Sequence, residues 1–365
     1  MKTFLPLLFT ILLSTNTFAQ SDSSGWGEKP EVNVSAFVDV FYAYDFNQPQ
    51  GILMHPFFFN FNRHNEININ LALVQVDINH EKYRATLALQ AGTYPNDNYA
   101  AEQGTMKNLN TATVGVSLNK KNNLWLDAGI MGSYIGFESA ISVDNPTLTR
   151  SLGAAGSPFF ITGAKLTYTP SDKIEIAGIL SNGWQRIQRV PGNSMLSFGT
   201  QLLYTPNKNI TLNWSTFIGS EDPDSTRRMR YFNDVYGIFQ LNENWQLTTG
   251  FDIGYQQKAK NSSDYDTWMT LVIIFRYDIN KKWAVALREE YFGDESEIIV
   301  STISPDGFQT TGLSLNVDYS PNKNVLCRIE GRYLKDQNNI FETKSGLASD
   351  DFFVTASVAI SINRK

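Results

Sequence analysis

Charged side chains at every second position are the residues of this sequence best placed to do chemistry. Arg328, Glu330 and Arg332 occupy alternate positions, as do Arg288 and Glu290. In a β-strand this spacing places the charges on one face. They could form cross-strand ion pairs that neutralise an interior, or they could line a polar passage filled with water. The residues alone leave both interpretations open.

Covalent chemistry is not predicted. A hydrolase needs a nucleophile, a base and an orienting group within reach of one another. The sequence offers three histidines, of which His80 lies at a short turn and His55 and His64 lie in a long loop without a Gly-x-Ser-x-Gly motif. With Cys327 as the single cysteine, we expect no disulfide, no metal centre, no cofactor and no enzyme activity.

Two oxygen-rich segments, 222–225 and 294–297, could bind calcium weakly, although neither has the ligand spacing of a calcium loop. The formal net charge is −6, and no basic patch dominates the chain. A nucleic-acid partner is therefore not expected.

Alternation with a period of two runs through the chain and predicts strands. In residues 245–255, Trp245, Leu247 and Phe251 share one face, while Thr248 and Asp252 share the other. A slip in the alternation between Leu71 and Val74 predicts a β-bulge. Similar patterns predict sixteen strands, at residues 32–45, 66–79, 83–92, 111–119, 124–135, 160–169, 174–181, 195–204, 210–219, 229–241, 245–256, 267–277, 283–292, 308–319, 325–335 and 351–363.

Short turns alternate with long loops. The turns repeat a Tyr-x-Pro motif, as at residues 168–173, 204–208 and 319–323, and aromatic residues gather beside them. The long loops are typified by 46–65, 93–110, 136–159 and 336–350. This asymmetry is typical of a transmembrane, antiparallel, up-and-down β-barrel with aromatic girdles, and the all-β class follows. A soluble β-sandwich would also alternate, but it would not need aromatic residues at the ends of its strands.

The N-terminus indicates export. Lys2, the apolar stretch 5–13 and the small residues up to Ala19 predict a cleaved signal peptide over residues 1–19. Residues 20–31 are then a flexible lead and residues 32–365 the barrel. After the signal, the sequence has no apolar run of about 18 residues, so transmembrane helices are excluded.

An apolar outward face leaves a set of charged residues to face the lumen, because charge on the lipid face is costly. The predicted pore-lining residues are Asp39, Arg84, Asp127, Asp252, Arg288, Glu290, Asp318, Arg328, Glu330 and Arg332. A barrel of about sixteen strands leaves an aqueous channel, which something must narrow if passage is selective. We expect the loop 136–159 to fold inward as a constriction, with Glu138 and Asp144 facing basic wall residues and Arg150 nearby. The alternative is an ordinary external loop.

The same region, extended to Gly163, also carries a family resemblance. Its motif residues are Gly136, Glu138, Asn145, Arg150, Ser151, Pro158, Phe159 and Gly163, and the first strand opens with residues 37–42, FVDVFY. This pattern resembles the OmpL-like beta-barrel porins of Gram-negative outer membranes. The resemblance implies a porin fold and solute diffusion, and it implies no catalytic residue.

The loop 46–65 is unusually apolar, with Phe57, Phe58 and Phe59 in succession. These side chains could pack on the barrel mouth, or they could form a subunit contact in a homo-oligomer such as a trimer.

These observations together predict an outer-membrane porin of a Gram-negative bacterium, in contact with membrane lipid, through which small hydrophilic solutes diffuse passively. The alternative is a non-conducting surface barrel that binds a partner through its external loops.

Overall fold

The strands of this chain form a closed barrel. The computed structural model describes residues 25–302 and 307–363, and sixteen antiparallel strands form one closed barrel. The predicted class and strand number are confirmed. The predicted signal peptide, residues 1–19, lies outside the described residues.

The strands follow the predicted order, with boundaries moved by a few residues. An additional two-stranded hairpin, β16 and β17, lies in the loop predicted at 336–350. The strands are β1 (Glu31–Asp45), β2 (Ile67–Asn79), β3 (Tyr83–Ala91), β4 (Leu109–Ser117), β5 (Leu124–Gly132), β6 (Phe160–Ser171), β7 (Ile174–Ser181), β8 (Ser197–Asn207), β9 (Ile210–Gly219), β10 (Arg230–Gln240), β11 (Trp245–Gln257), β12 (Tyr265–Asp278), β13 (Trp283–Asp294), β14 (Phe308–Asn322), β15 (Val325–Asp336), β16 (Phe341–Thr343), β17 (Gly346–Ala348) and β18 (Asp350–Ile362).

Each barrel strand pairs with its neighbour in sequence, apart from the hairpin insertion. β15 pairs with β18, and β18 pairs with β1 to close the barrel, with Val38 opposite Ile360. We call the β1–β18 pairing the seam. Because the first and last strands of the barrel meet there, none of its sixteen described strands has an unpaired edge.

The outward face is apolar, as lipid contact requires. Leu313 and Leu315 on β14 are half exposed, while Ser314 between them is buried inside. At the short-turn end, Trp245 packs on Tyr277 and Trp283 packs on Tyr319, each with ring centroids 4.6 Å apart. These pairs form the predicted aromatic belt.

The bulge in β2 lies at Asn70, one residue before the predicted slip. Asp39 pairs with Leu71 and Val40 pairs with Ile69, so Asn70 is the additional residue. Its carbonyl lies so close to Gly92 that a Cβ there would approach it to 2.4 Å. Gly92 also has φ of +133°, a backbone conformation that favours glycine. The bulge thus depends on a glycine in the next long loop.

Helical structure is confined to long loops. The loop after β3 contains α1 (Thr93–Asn98), and the loop after β5 contains the four-residue α2 (Leu152–Ala155). Within residues 25–302 and 307–363, no helix is long and apolar enough to cross a membrane.

Candidate functional site: the barrel lumen and its inner loop

The inward face of β13, β14 and β15 carries a set of buried ion pairs. Arg288 contacts Glu330 at 2.8 Å, and Arg332 contacts Glu290 at 2.7 Å. Both pairs run diagonally across β14, where Gly312 leaves room because a Cβ there would lie 2.7 Å from Glu290 Oε1. The side chains in these pairs are almost completely buried. The cross-strand pairing expected as one of two interpretations is therefore present in this part of the wall.

Asp318 on β14 forms a second centre. Arg328 Nε donates to Asp318 Oδ1 at 2.7 Å, and Arg276 Nη1 donates to Asp318 Oδ2 at 2.7 Å. One carboxylate thus holds two guanidinium groups. Arg276 Nε donates to Asp278 on the same strand at 3.1 Å, while Nη1 of Arg276 also reaches the carbonyl of Pro146 in the loop 136–159 at 3.2 Å.

We refer to residues 136–159 as the inner loop, because they lie against these wall residues. Arg328 donates to the carbonyl oxygens of Ser142 at 2.6 Å, Asn145 at 3.1 Å and Thr147 at 3.1 Å. Arg288 donates to the Thr149 carbonyl at 2.5 Å. The wall arginines therefore bind the main chain of the loop.

The wall carboxylates also bind the loop backbone, by accepting hydrogen bonds from its amides. Thr149 N donates to Glu330 at 2.6 Å, and Leu152 N donates to Glu290 at 2.7 Å. Each carboxylate thus joins a wall arginine to a loop amide. Charge-assisted bonds of this kind are among the stronger hydrogen bonds in proteins.

The inner loop also contacts other parts of the wall. Ser142 Oγ donates to Asp39 Oδ2 on β1 at 2.6 Å. Gly153 packs on β12, where a Cβ would lie 2.8 Å from Thr270 Oγ1. The loop therefore extends from its base between β5 and β6 to contact β1 and β12–β15.

Two of the predicted constriction residues hold the loop together. Glu138 accepts hydrogen bonds from the backbone N and the hydroxyl of Ser151. The buried Arg150 guanidinium lies over the Phe159 ring, 3.4 Å from its centroid, and 5.0 Å from the Tyr94 centroid. Both side chains therefore make their main contacts with the loops.

Asp144 differs from these two, since it is exposed and accepts from Ser139 Oγ at 3.4 Å. We expected the acids of the loop to face wall arginines. The hydrogen bonds that the wall arginines donate to the loop go instead to its carbonyls and hydroxyls, and the wall carboxylates neutralise the guanidinium charge.

All ten predicted pore-lining residues face inward, but seven of them lie beneath the inner loop and not against open water. This corrects the expectation of a wall lined by exposed charge. The physical reason is that the loop's carbonyl and amide groups replace water around them. The buried seven are Asp39, Arg288, Glu290, Asp318, Arg328, Glu330 and Arg332.

The open part of the lumen lies along β3–β7. A cavity of about 650 Å³ is lined there by Arg84, Asp127, Lys165 and Glu175, together with neutral polar side chains. Arg84 Nε donates to Asp127 Oδ1 at 2.7 Å, and Lys165 lies 3.5 Å from Glu175. Asp252, the tenth residue, is half-buried and accepts from a threonine on β12. The exposed charges are thus of both signs.

Two smaller cavities lie next to this one. A cavity of about 300 Å³ beside the inner loop shares Gly132 with the large cavity. A third, of about 310 Å³, is lined by residues of the inner loop, of the external loops and of the barrel wall, and it shares Tyr99 and Ser157 with the second. The shared residues therefore place the three cavities side by side, from the β3–β7 wall toward the external loops.

The external acids predicted as weak calcium ligands are engaged by donors of their own loops. Asp222 Oδ2 accepts from Arg228 Nε at 2.8 Å, a hydrogen bond that lowers the pKa of Asp222. Asp224 pairs with Arg227. Asp294 accepts three backbone amides at 2.7 to 2.9 Å.

The apolar loop 46–65 packs on the barrel mouth. Phe57 and Phe58 are buried, and Phe57 lies 4.9 Å from Phe308 and Phe58 5.8 Å from Phe353 between ring centroids. Phe57 and Phe58 therefore pack on the barrel mouth within one chain, and their side chains are not free to form a contact between subunits.

Sequence reasoning from separate strands did not identify the cavity lining. Trp125 and Thr113 complete the wall there, and Arg84 lies over the Trp125 ring, 4.4 Å from its centroid. The alternation along β4 and β5 could have identified these residues, because it places Trp125 on the same inward face as Asp127.

The comparisons with known proteins agree with this architecture. The family described as "Putative beta-barrel porin-2, OmpL-like" matches residues 31–362. No curated protein matches the sequence.

Several solved outer-membrane structures share the fold. The outer membrane channel DcaP of Acinetobacter baumannii is 12% identical with a TM-score of 0.62, over 92% of this chain and 98% of that chain. The anion-selective porin from Comamonas acidovorans is 8% identical with a TM-score of 0.61, over 92% and 100% of the two chains. The trimer form of OmpT from Vibrio cholerae is 8% identical with a TM-score of 0.59, over the same shares.

Proposed function

This chain belongs to the OmpL-like beta-barrel porin family, and we propose that small hydrophilic solutes diffuse passively through its lumen. The observation that carries this proposal is the open cavity of about 650 Å³ along the β3–β7 wall, lined by charges of both signs. Sixteen strands are enough to enclose an aqueous channel, whereas eight are filled by their own side chains.

The route in this proposal passes along the three cavities. Solutes enter past the external loops, pass Tyr99 and Ser157, and follow the inner loop to the β3–β7 wall. The inner loop occupies the β12–β15 side of the lumen and so restricts passage to the other side. Glu138 and Arg150 hold the constriction in shape, while exposed Asp144 and the Arg84–Asp127 pair meet the solutes.

Planar-bilayer recording of the purified protein tests the proposal. We expect stable, ohmic current steps, because a water-filled lumen conducts without gating chemistry. A correctly folded barrel that gives no steps would contradict the proposal and favour a non-conducting barrel that binds a partner. Heat-modifiable migration on a denaturing gel is the control for folding.

Asp127→Asn is expected to shift ion selectivity toward anions. The change removes the negative partner of Arg84 in the open cavity and leaves its guanidinium uncompensated. The reversal potential in a KCl gradient should move by several millivolts toward the chloride equilibrium potential, and more at low salt, where screening is weaker.

Asp264→Asn is the matched control for this prediction. It removes the same charge from the exposed loop between β11 and β12, outside the lumen. The reversal potential should stay near that of the natural sequence. A shift of equal size in both variants would show that Asp127 does not act from the channel wall.

We further propose export by the signal peptide at residues 1–19 and residence in a Gram-negative outer membrane as a homo-oligomer. The family membership and the apolar outward face support the membrane location. One structural relative is described as a trimer. Analytical ultracentrifugation in mild detergent would test the oligomer, and a monomer at all concentrations would contradict it.

A further inference from the structure

Three ionisable side chains meet in a buried cluster at the external end of the seam. Asp45 is the last residue of β1, Asp351 is the second residue of β18, and His55 comes from the loop 46–65. Each is at most 2% exposed. The cluster is separate from the lumen residues described above, and a channel wall does not require it.

The cluster contains oxygen atoms that no protein group satisfies. His55 Nε2 lies 2.8 Å from Asp351 Oδ2, and Asp45 Oδ1 accepts from Asn47 N at 2.8 Å. The other two carboxylate oxygens, Asp45 Oδ2 and Asp351 Oδ1, are buried and have no hydrogen-bond partner among the described residues. A buried carboxylate oxygen without a donor is costly, so these two atoms indicate a missing partner.

The charges indicate that the missing partner is positive. Two carboxylates carry two negative charges, and His55 can contribute at most one positive charge. Neither carboxylate is paired with a lysine or arginine in the part of the chain that the structure describes. The nearby His64 accepts from the Asp45 backbone N at 3.1 Å through its Nδ1, which therefore carries no proton. A metal cation would balance the cluster, and the alternative is a proton shared by the two carboxyl groups.

One ligand atom from each of the three residues lies within 4.8 Å of the others. Ligand atoms at about 2.0–2.2 Å from one tetrahedral ion lie about 3.4 Å apart, so metal binding would draw the wider pairs together and replace the 2.8 Å hydrogen bond between His55 and Asp351. Imidazole nitrogen with carboxylate oxygen is a donor set for zinc and similar transition ions, whereas calcium and magnesium take oxygen ligands.

We propose that Asp45, His55 and Asp351 bind one divalent transition-metal ion of the zinc class, which fixes the loop 46–65 to the seam. The surroundings fit this role. The His55 ring is packed among Phe57, Phe58, Phe341 and Phe353, with centroids 5.0 to 5.8 Å away, so bulk water is excluded. The proposed site differs from the expectation of no metal centre, which rested on the small number of histidines and cysteines in the sequence.

Zinc binding to the full-length, refolded protein tests the proposal. After treatment with EDTA and dialysis, we expect one zinc ion per chain in a competition titration with a chromogenic chelator, and a higher melting temperature with zinc than without. His55→Gln should weaken zinc binding by more than about tenfold. Asp351→Asn should do the same, and both variants should lose the zinc-dependent rise in melting temperature.

His80→Gln is the matched control, because His80 lies in the short turn at the opposite end of the barrel and binds the Lys82 amide. It should bind zinc like the natural sequence. Heat-modifiable migration shows that each variant is folded. Absence of zinc binding, or equal binding by folded His55→Gln and His80→Gln, would overturn the proposal, and the cluster would then hold a shared proton. Channel conductance is measured separately, so failure here is distinct from failure of the porin proposal.

Discussion

Deletion of residues 140–155 is expected to raise single-channel conductance about twofold or more, because a sixteen-stranded barrel without an internal loop leaves a wide aqueous pore. The deleted segment contains the residues that bind Arg288, Arg328 and Glu330 from inside. Without them, water reaches the β12–β15 wall and its charges become pore lining. Planar-bilayer recordings of the deletion and the natural sequence measure the effect.

The matched control deletes residues 260–262 from the external loop between β11 and β12. A hydrogen bond from Lys258 N to the Asp264 carbonyl at 3.0 Å joins the ends of that loop, and Ala259 with Ser263 remains as a two-residue turn between them. Its conductance should match that of the natural sequence. If deletion of 140–155 also leaves the current steps unchanged, the inner loop does not limit ion flow.

Glu290→Gln is expected to destabilise the barrel by about 3 kcal/mol, the lower end of the cost of breaking a buried ion pair. Glu290 accepts from Arg332 and from Leu152 N, and it lies 3.3 Å from Arg288. The amide keeps one acceptor but leaves two buried guanidinium groups with less negative charge. Urea unfolding in lipid vesicles, followed by tryptophan fluorescence, measures the free energy.

Glu289→Gln is the control one residue away. Glu289 is exposed on the outward face, where it pairs in register with Ile273 and Leu313. Neutralising a charge on the lipid-facing side should leave stability unchanged or raise it slightly. If both variants lose similar stability, the buried network is not what holds this part of the wall.

The barrel could be predicted from sequence because its signals are local. Alternation fixes which side of a strand faces lipid, and the Tyr-x-Pro turns mark where strands reverse. Both act over a few residues, so the alternation alone places Leu247 and Thr248 on opposite faces of β11. The bulge was placed within one residue because a slip in alternation is also local.

The inner-loop contacts and the cluster of Asp45, His55 and Asp351 could not be predicted in this way. Arg328 meets Asn145 across 183 positions of the chain, and His55 meets Asp351 across 296. Such distances leave no spacing pattern. The partners of Arg328 are carbonyl oxygens, which every residue possesses, so the sequence contains no residue type that would reveal them. The family resemblance indicated the correct loop, but the pairing of its atoms required the fold.

The main-chain attachment of the inner loop has a consequence for protein engineering. Arg328 holds the carbonyls of Ser142, Asn145 and Thr147, and these oxygens persist whatever side chain is present. These hydrogen bonds therefore depend little on which side chains the loop carries. Exposed positions such as Asp144 can be substituted, by evolution or by design, while the loop keeps its path. The solutes that pass can therefore change between related sequences while the inner loop stays bound to the barrel wall through its main chain.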